Sequence, residues 1–284
     1  MYSSQASVAH LPYSVIAYSW GATRNLVAYP MIGYRRTTNM QPQPLVIEYR
    51  FRLQDNSEEL FTICLDPQTL ETLPAPTAEP LPAWTSLSFA QCASCPLEEN
   101  SSLHCPAAAN LAPIVQRVEK LISIDQVDLQ VTTAERISLQ KTTAQRALCS
   151  LMGLVIATSG CPHTVFFKPM ARFHLPLASE EETIFRATAT YMLAQYFVKN
   201  EEGKADFNLE KLADLYRIMQ EVNQAMATRV RSASKTDSSI NAIVLLDMYA
   251  KTLPYVIKQS LEELRYLFEP FLKTADSLKN PSSS

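Results

Sequence analysis

Ile47-Glu48-Tyr49-Arg50-Phe51-Arg52-Leu53, followed by Gln54-Asp55-Asn56-Ser57 and then Phe61-Thr62-Ile63-Cys64-Leu65, decides the first half of the fold. Apolar side chains alternate with charged ones in the first run, the period of a strand with one face buried. The four polar residues after it are turn formers. Phe61, Ile63 and Leu65 alternate with Thr62 and Cys64 as the return strand. A hairpin is therefore expected, with Cys64 as a small packed strand residue.

Outward from this hairpin the periodicity changes. Pro67, Pro74, Pro76, Pro80 and Pro82 mark a linker that breaks helix and central strand alike. Leu111, Val115, Val118 and Ile122 predict a helix over 107–122, strained by Pro113. Val127, Leu129 and Val131, then Ile137 and Leu139, predict two more short strands. Thr142-Thr143-Ala144-Gln145 reads as a capping box opening a buried helix that stops at Gly160. Ser179-Glu180-Glu181-Glu182 is a second capping box. Beyond it, stripes at helical spacing predict an antiparallel bundle, with Pro254 separating its third helix from its fourth. Upstream, residues 1–44 mix prolines with Tyr13, Tyr18, Trp20, Tyr29 and Tyr34 and read as an irregular arm; the Pro-Ser-Ser-Ser end reads as frayed.

The expected fold is α+β: an irregular arm at 1–44, a hairpin and Pro-rich linker at 45–82, an α/β core carrying a cysteine-ligated metal site at 83–178, and a helical bundle at 179–284. Length and an apolar fraction of 47% allow a sizeable core. A formal net charge of -3 gives no general attraction to nucleic acid or to anionic lipid. Only 5 glycines are present, and no glycine-rich phosphate loop among them. No basic, uninterrupted apolar leader is evident, and Ala147–Thr158 is too short to span a bilayer. The expectation is a cytoplasmic protein without nucleic-acid or membrane partners, in which clustered cysteines are ligands rather than disulfides. A secreted setting would reverse that last inference.

Chemistry concentrates on the cysteines. Cys92-x-x-Cys95 is a knuckle, Cys105 follows Cys95 after nine intervening residues, and Cys161 lies far downstream; Cys95, Cys105 and Cys161 each precede proline. Two thiolates three residues apart fold around one ion without strain, and proline stiffens the turn beyond a ligand. Cys92, Cys95, Cys105 and Cys161 are the expected ligands of zinc, or of an iron–sulfur cluster as the alternative. His104 and His163 stand beside these ligands and are the alternative nitrogen donors. Cys161 is expected just past a helix C-terminus, where the dipole disfavours a free thiolate. Cys149 belongs to the core.

Lys168-Pro169-Met170-Ala171-Arg172-Phe173-His174-Leu175-Pro176 reads as a proline-bounded loop. Lys168, Arg172 and His174 are candidates for an anion pocket there, with ion pairing to Glu180–Glu182 as the plainer reading. No Ser-His-Asp or H-E-x-x-H arrangement accompanies them.

The set Gln91-Cys92-Ala93-Ser94-Cys95-Pro96-Leu97, Cys105-Pro106, Ser159-Gly160-Cys161-Pro162-His163 and Lys168 to Pro176 resembles an uncharacterised bacterial family, classed only as a domain of unknown function, over about residues 45–270. The resemblance implies a bacterial cytoplasmic setting and no activity. Three functions are carried forward: a metal-clamped binding or scaffold protein whose bundle meets a partner or a second copy, an iron–sulfur redox or sensor protein, and a metal-assisted enzyme with its site near Arg172 and His174.

Overall fold

Tyr49 lies opposite Phe61, and Ile47 opposite Ile63, in an antiparallel pair formed by β1 (Leu45–Arg52) and β2 (Glu58–Leu65). The structure is a computed structural model that describes residues 43–74, 80–234 and 236–279. The expectations for the arm before residue 43, for Pro76 and for the Pro-Ser-Ser-Ser end fall outside the described residues. Asp55 organises the hairpin turn, its carboxylate accepting from the Ser57 N–H at 2.9 Å and from the Ser57 hydroxyl at 2.5 Å. On the solvated face Glu58 pairs with both Arg50 and Arg52, at 2.8 and 2.9 Å.

β3 (Gln126–Thr132) and β4 (Ile137–Thr143) form a second hairpin, and β1 pairs with β3 to give one antiparallel sheet of order β2-β1-β3-β4. The strands thus extend into the middle of the chain. β4 runs against expectation in its facing. Ser138, Gln140 and Thr142 lie opposite the buried Val131, Leu129 and Val127, so Ile137 and Leu139 point away from the core and are 63% and 74% exposed.

α1 (Pro106–Arg117) connects the hairpins and is a turn shorter than its apolar spacing predicts. α2 (Ala144–Ala157) leaves β4 without a linker, and the expected capping box does not form. Thr143 is still the last strand residue, so its side chain is committed to the sheet. The amides of Ala144 and Gln145 are satisfied instead by the Asp125 and Ser123 carbonyls, at 2.8 and 3.1 Å. α2 is buried on most sides, as its composition predicts, and packs between the sheet and the later helices. Gly160 then takes a left-handed φ of 83°. The segment expected to be a loop is helical instead, a 3-10 turn at Pro162–Phe167 continuing into α3 (Lys168–Arg172).

The last third is helical throughout. α4 (Glu180–Glu202) starts at the Ser179 capping box, with both reciprocal bonds present, and ends at Gly203. α5 (Glu210–Ala233) and α6 (Ser238–Glu263) follow, and a 3-10 turn at Arg265–Leu267 leads to α7 (Glu269–Lys279). α6 runs through Pro254, where a break is expected. Proline has no N–H for the carbonyl four residues back. That carbonyl, Ala250 O, accepts from Gln220 Nε2 of α5 at 3.1 Å. The neighbouring helix thus supplies the donor that α6 lacks.

The described residues belong to one compact unit, Gln41–Ser284. Its main core joins the sheet, α1 and α2 to Cys105, Cys161 and the inner faces of α5 and α6; a second cluster unites α4, α5 and α6 around Tyr191 and Tyr216. Among the described residues no single helix is long and apolar enough to cross a membrane.

Candidate metal centre

The loop from Ala83 to Cys105 is pinned at both ends. Trp84 and Thr85 are buried in a 3-10 turn, and the Cys105 N–H reaches the Thr85 carbonyl at 2.8 Å. Leu87 N–H meets Leu103 O at 2.9 Å. Between these points Cys92-x-x-Cys95 is a tight turn, closed by Cys95 N–H to Cys92 O at 3.1 Å. Ser94 at its tip donates to Glu221 of α5 from both its amide, at 3.2 Å, and its hydroxyl, at 2.5 Å.

Cys105 and Cys161 share one local geometry. Each is the residue before a helical segment, each has proline at the first helical position, and their φ/ψ values are -66°/120° and -66°/126°. Proline is well placed there because the N–H it lacks would have no helical partner. This corrects the expected setting of Cys161. Thr158 to Gly160 separate it from α2, and it opens the following helical turn rather than closing the preceding helix. Its sulfur makes no side-chain capping bond. Burial pushes its thiol up to about 11; the nearby amides of His163 and Thr164 oppose that shift, while Cys105 and Cys95 add to it.

Burial likewise pushes the Cys92 thiol up to about 12, with Cys105, Cys161 and Cys95 acting in the same direction and Arg229 against them. Cys92 is therefore within electrostatic reach of Cys95, Cys105 and Cys161, and Cys161 of Cys105 and Cys95, although a long stretch of sequence separates Cys161 from the rest. All six cysteines are free thiols, and Cys64 and Cys149 sit apart, in β2 and α2. The four are neighbours rather than a closed shell: among the described residues no group of three or more His, Cys, Asp or Glu is drawn together as a ligand set.

Arg229 is the residue of this site that sequence reading misses. It is 1% exposed, on the inner face of α5. Its guanidinium donates to the carbonyls of Trp84, Ser86 and Leu87 at 2.7, 2.7 and 3.0 Å. Burial lowers its pKa, while Cys105, Cys92 and Cys95 favour its charge. No carboxylate pairs with it among the described residues. A buried cation without a counter-ion is costly, and thiols are the acidic groups beside it.

The other candidates are engaged elsewhere. His104 Nδ1 lies 2.8 Å from the Thr85 hydroxyl, and His163 Nε2 lies 3.0 Å from the Ser94 carbonyl. Lys168 pairs with Glu71 at 2.8 Å and Arg172 with Glu135 at 3.2 Å, neither with Glu180–Glu182. His174 bonds the Tyr49 hydroxyl. Two cations already neutralised and one half-buried imidazole bonded to Tyr49 do not make a set of free anion donors.

The model of one family, described as Domain of unknown function (DUF6901), matches residues 47–269, inside the range over which the sequence motifs show their resemblance. No curated protein and no solved structure matches the chain.

Proposed function

We propose, for a chain that belongs to this uncharacterised family, the role of a scaffold or binding protein whose irregular cysteine loop is clamped to the core by one structural zinc. Cys92, Cys95, Cys105 and Cys161 are its ligands. The observation that carries this reading is that Cys92 feels Cys95, Cys105 and Cys161 electrostatically, and that Cys92, Cys95 and Cys105 act on Arg229, a buried cation with no carboxylate partner among the described residues. Four thiolates around a divalent ion carry a net charge of about -2, which an adjacent guanidinium offsets. In the closed shell the sulfurs stand about 3.8 Å from one another at about 2.3 Å from zinc. Metal binding then contributes directly to folding, as a disulfide does in an oxidising compartment. The reading assumes the reducing cytoplasm.

The binding surface in this proposal is the outer face of α4. Ile184, Ala187 and Tyr191 face inward, yet Phe185, Met192, Leu193, Tyr196 and Phe197 are exposed. An apolar stripe of this size on a helix with an apolar inner side marks an association surface, here for a second copy or a protein partner.

Elemental analysis of the native protein tests the metal. One zinc per chain is expected, and Cys161→Ser should lose it together with roughly 5 °C or more of thermal stability. Unchanged metal content and melting temperature in Cys161→Ser would refute the site. Brown protein containing iron and sulfide would assign the same ligands to an iron–sulfur cluster.

A further inference from the structure

α2, α5 and α6 enclose a cavity of about 230 Å³, walled on one side by the Pro162–Arg172 segment. Along α2 it is lined at Arg146, Cys149, Ser150, Gly153, Ile156 and Ala157, the spacing of one helix face. At about 1.5 Å per residue that face runs roughly 16 Å, so the space is elongated. The facing walls are mostly apolar, with Met219, Leu245, Leu246 and Leu253 among them. A cavity of about 150 Å³ holds benzene, which scales to roughly nine or ten non-hydrogen atoms here.

Two polar features select the occupant. The lining contains two guanidinium groups, Arg146 and Arg186, and no carboxylate. Arg186 is tied to the wall, donating to the carbonyls of Met170 and Phe173 at 2.7 and 3.0 Å. Arg146 is exposed while lining the cavity, so the cavity meets solvent there, and no carboxylate pairs with it among the described residues. The second feature lies deeper. Asn223 is 2% exposed and lines the cavity, and its Oδ1 accepts no hydrogen bond among the described residues. A buried amide oxygen left in that state calls for a donor.

We infer that this cavity binds a medium-chain monocarboxylate of about ten non-hydrogen atoms that carries a hydroxyl group: its chain lies along α2, its carboxylate meets Arg146 at the mouth, and its hydroxyl donates to Asn223 Oδ1. None of the four clustered cysteines lines the cavity, so the inference stands or falls apart from the zinc site.

Calorimetric titration of the full chain with octanoate, a panel of singly hydroxylated octanoates, octan-1-ol and octylamine tests it. Octanoate should bind at least tenfold more tightly than octan-1-ol, octylamine should not bind, and the best hydroxylated isomer should gain a further tenfold or so. Arg146→Gln should reduce octanoate to the level of octan-1-ol. Asn223→Leu should erase the preference for the hydroxyl while keeping octanoate. Gly153→Ala, whose added methyl group would stand 3.2 Å from Leu246 Cδ2 in the cavity wall and narrow the space, should weaken binding with an unchanged circular dichroism spectrum. Absence of binding by every acid, equal binding of octylamine and octanoate, or indifference to Arg146→Gln would overturn the inference. Since Arg146 is on the surface, its replacement leaves folding intact.

Discussion

The Tyr49 hydroxyl is shared between His174 Nε2 and Ser150 Oγ, the latter at 2.8 Å, and this small network joins β1, α2 and the chain before α4. Burial holds the His174 imidazole down at about 3, with Arg186 pushing the same way. The free side chain titrates near 6.5. Between these values the unfolded chain binds a proton that the native protein does not. Stability is complete above about pH 6.5 and declines as pH falls toward 3, by about 3 kcal/mol at pH 4.5. Urea unfolding at pH 7.5 and 4.5 should show this loss, and the loss should be smaller by that amount in His174→Gln. Such neutrality is not legible in the string Arg172-Phe173-His174, which reads as cationic; only the partner across the fold, Tyr49, reveals it. Arg229 is a similar case. Its place three residues after Met226 and one before Val230 puts it on the buried face of α5. Arginines there usually reach out to solvent, so spacing alone does not predict burial. The carbonyls that hold it belong to a loop more than 140 residues away.

α6 and α5 exchange more than apolar contact. Gln220 satisfies the Ala250 carbonyl that Pro254 orphans, so Gln220→Leu should cost about 1–2 kcal/mol by chemical denaturation. Restoring a backbone donor with Pro254→Ala should make the same Gln220 substitution nearly neutral, a coupling that a double-mutant cycle reads directly. A proline in sequence marks a lost donor, and a glutamine 34 residues earlier gives no sign that it supplies the replacement. Where local rules suffice, elements are legible. The first hairpin follows from alternation and turn residues, and α4 begins where Ser179 and Glu182 place it. Where tertiary context decides, they are not. Thr142 and Thr143 have capping chemistry but are held in a strand, and the apolar positions of β4 face out because its partner strand sets the register. The cysteines are intermediate. Their spacing picks out four thiols, of which Cys92 feels the other three, but among the described residues they are not drawn together as a ligand set, and the arginine beside them comes only from the fold.

At the scale of the molecule the outer stripe of α4 governs association. Sedimentation at increasing concentration should show self-association, and Leu193→Glu with Phe197→Glu should shift the protein to monomer without lowering its melting temperature by more than a degree or two. A strictly monomeric wild type would leave the stripe to a different protein. The sheet order has a consequence of another kind, for the newborn chain. β1 has β2 as a neighbour on one side at once, but its other edge waits for β3, about 80 residues later. Ribosomes add about 5–20 residues per second, so that edge stays open on the order of ten seconds. During that time the apolar row Ile47, Tyr49 and Phe51 has neither α2 nor β3 to cover it. The alternating Glu48, Arg50 and Arg52 are then its protection, charges that keep one nascent hairpin from pairing with the next.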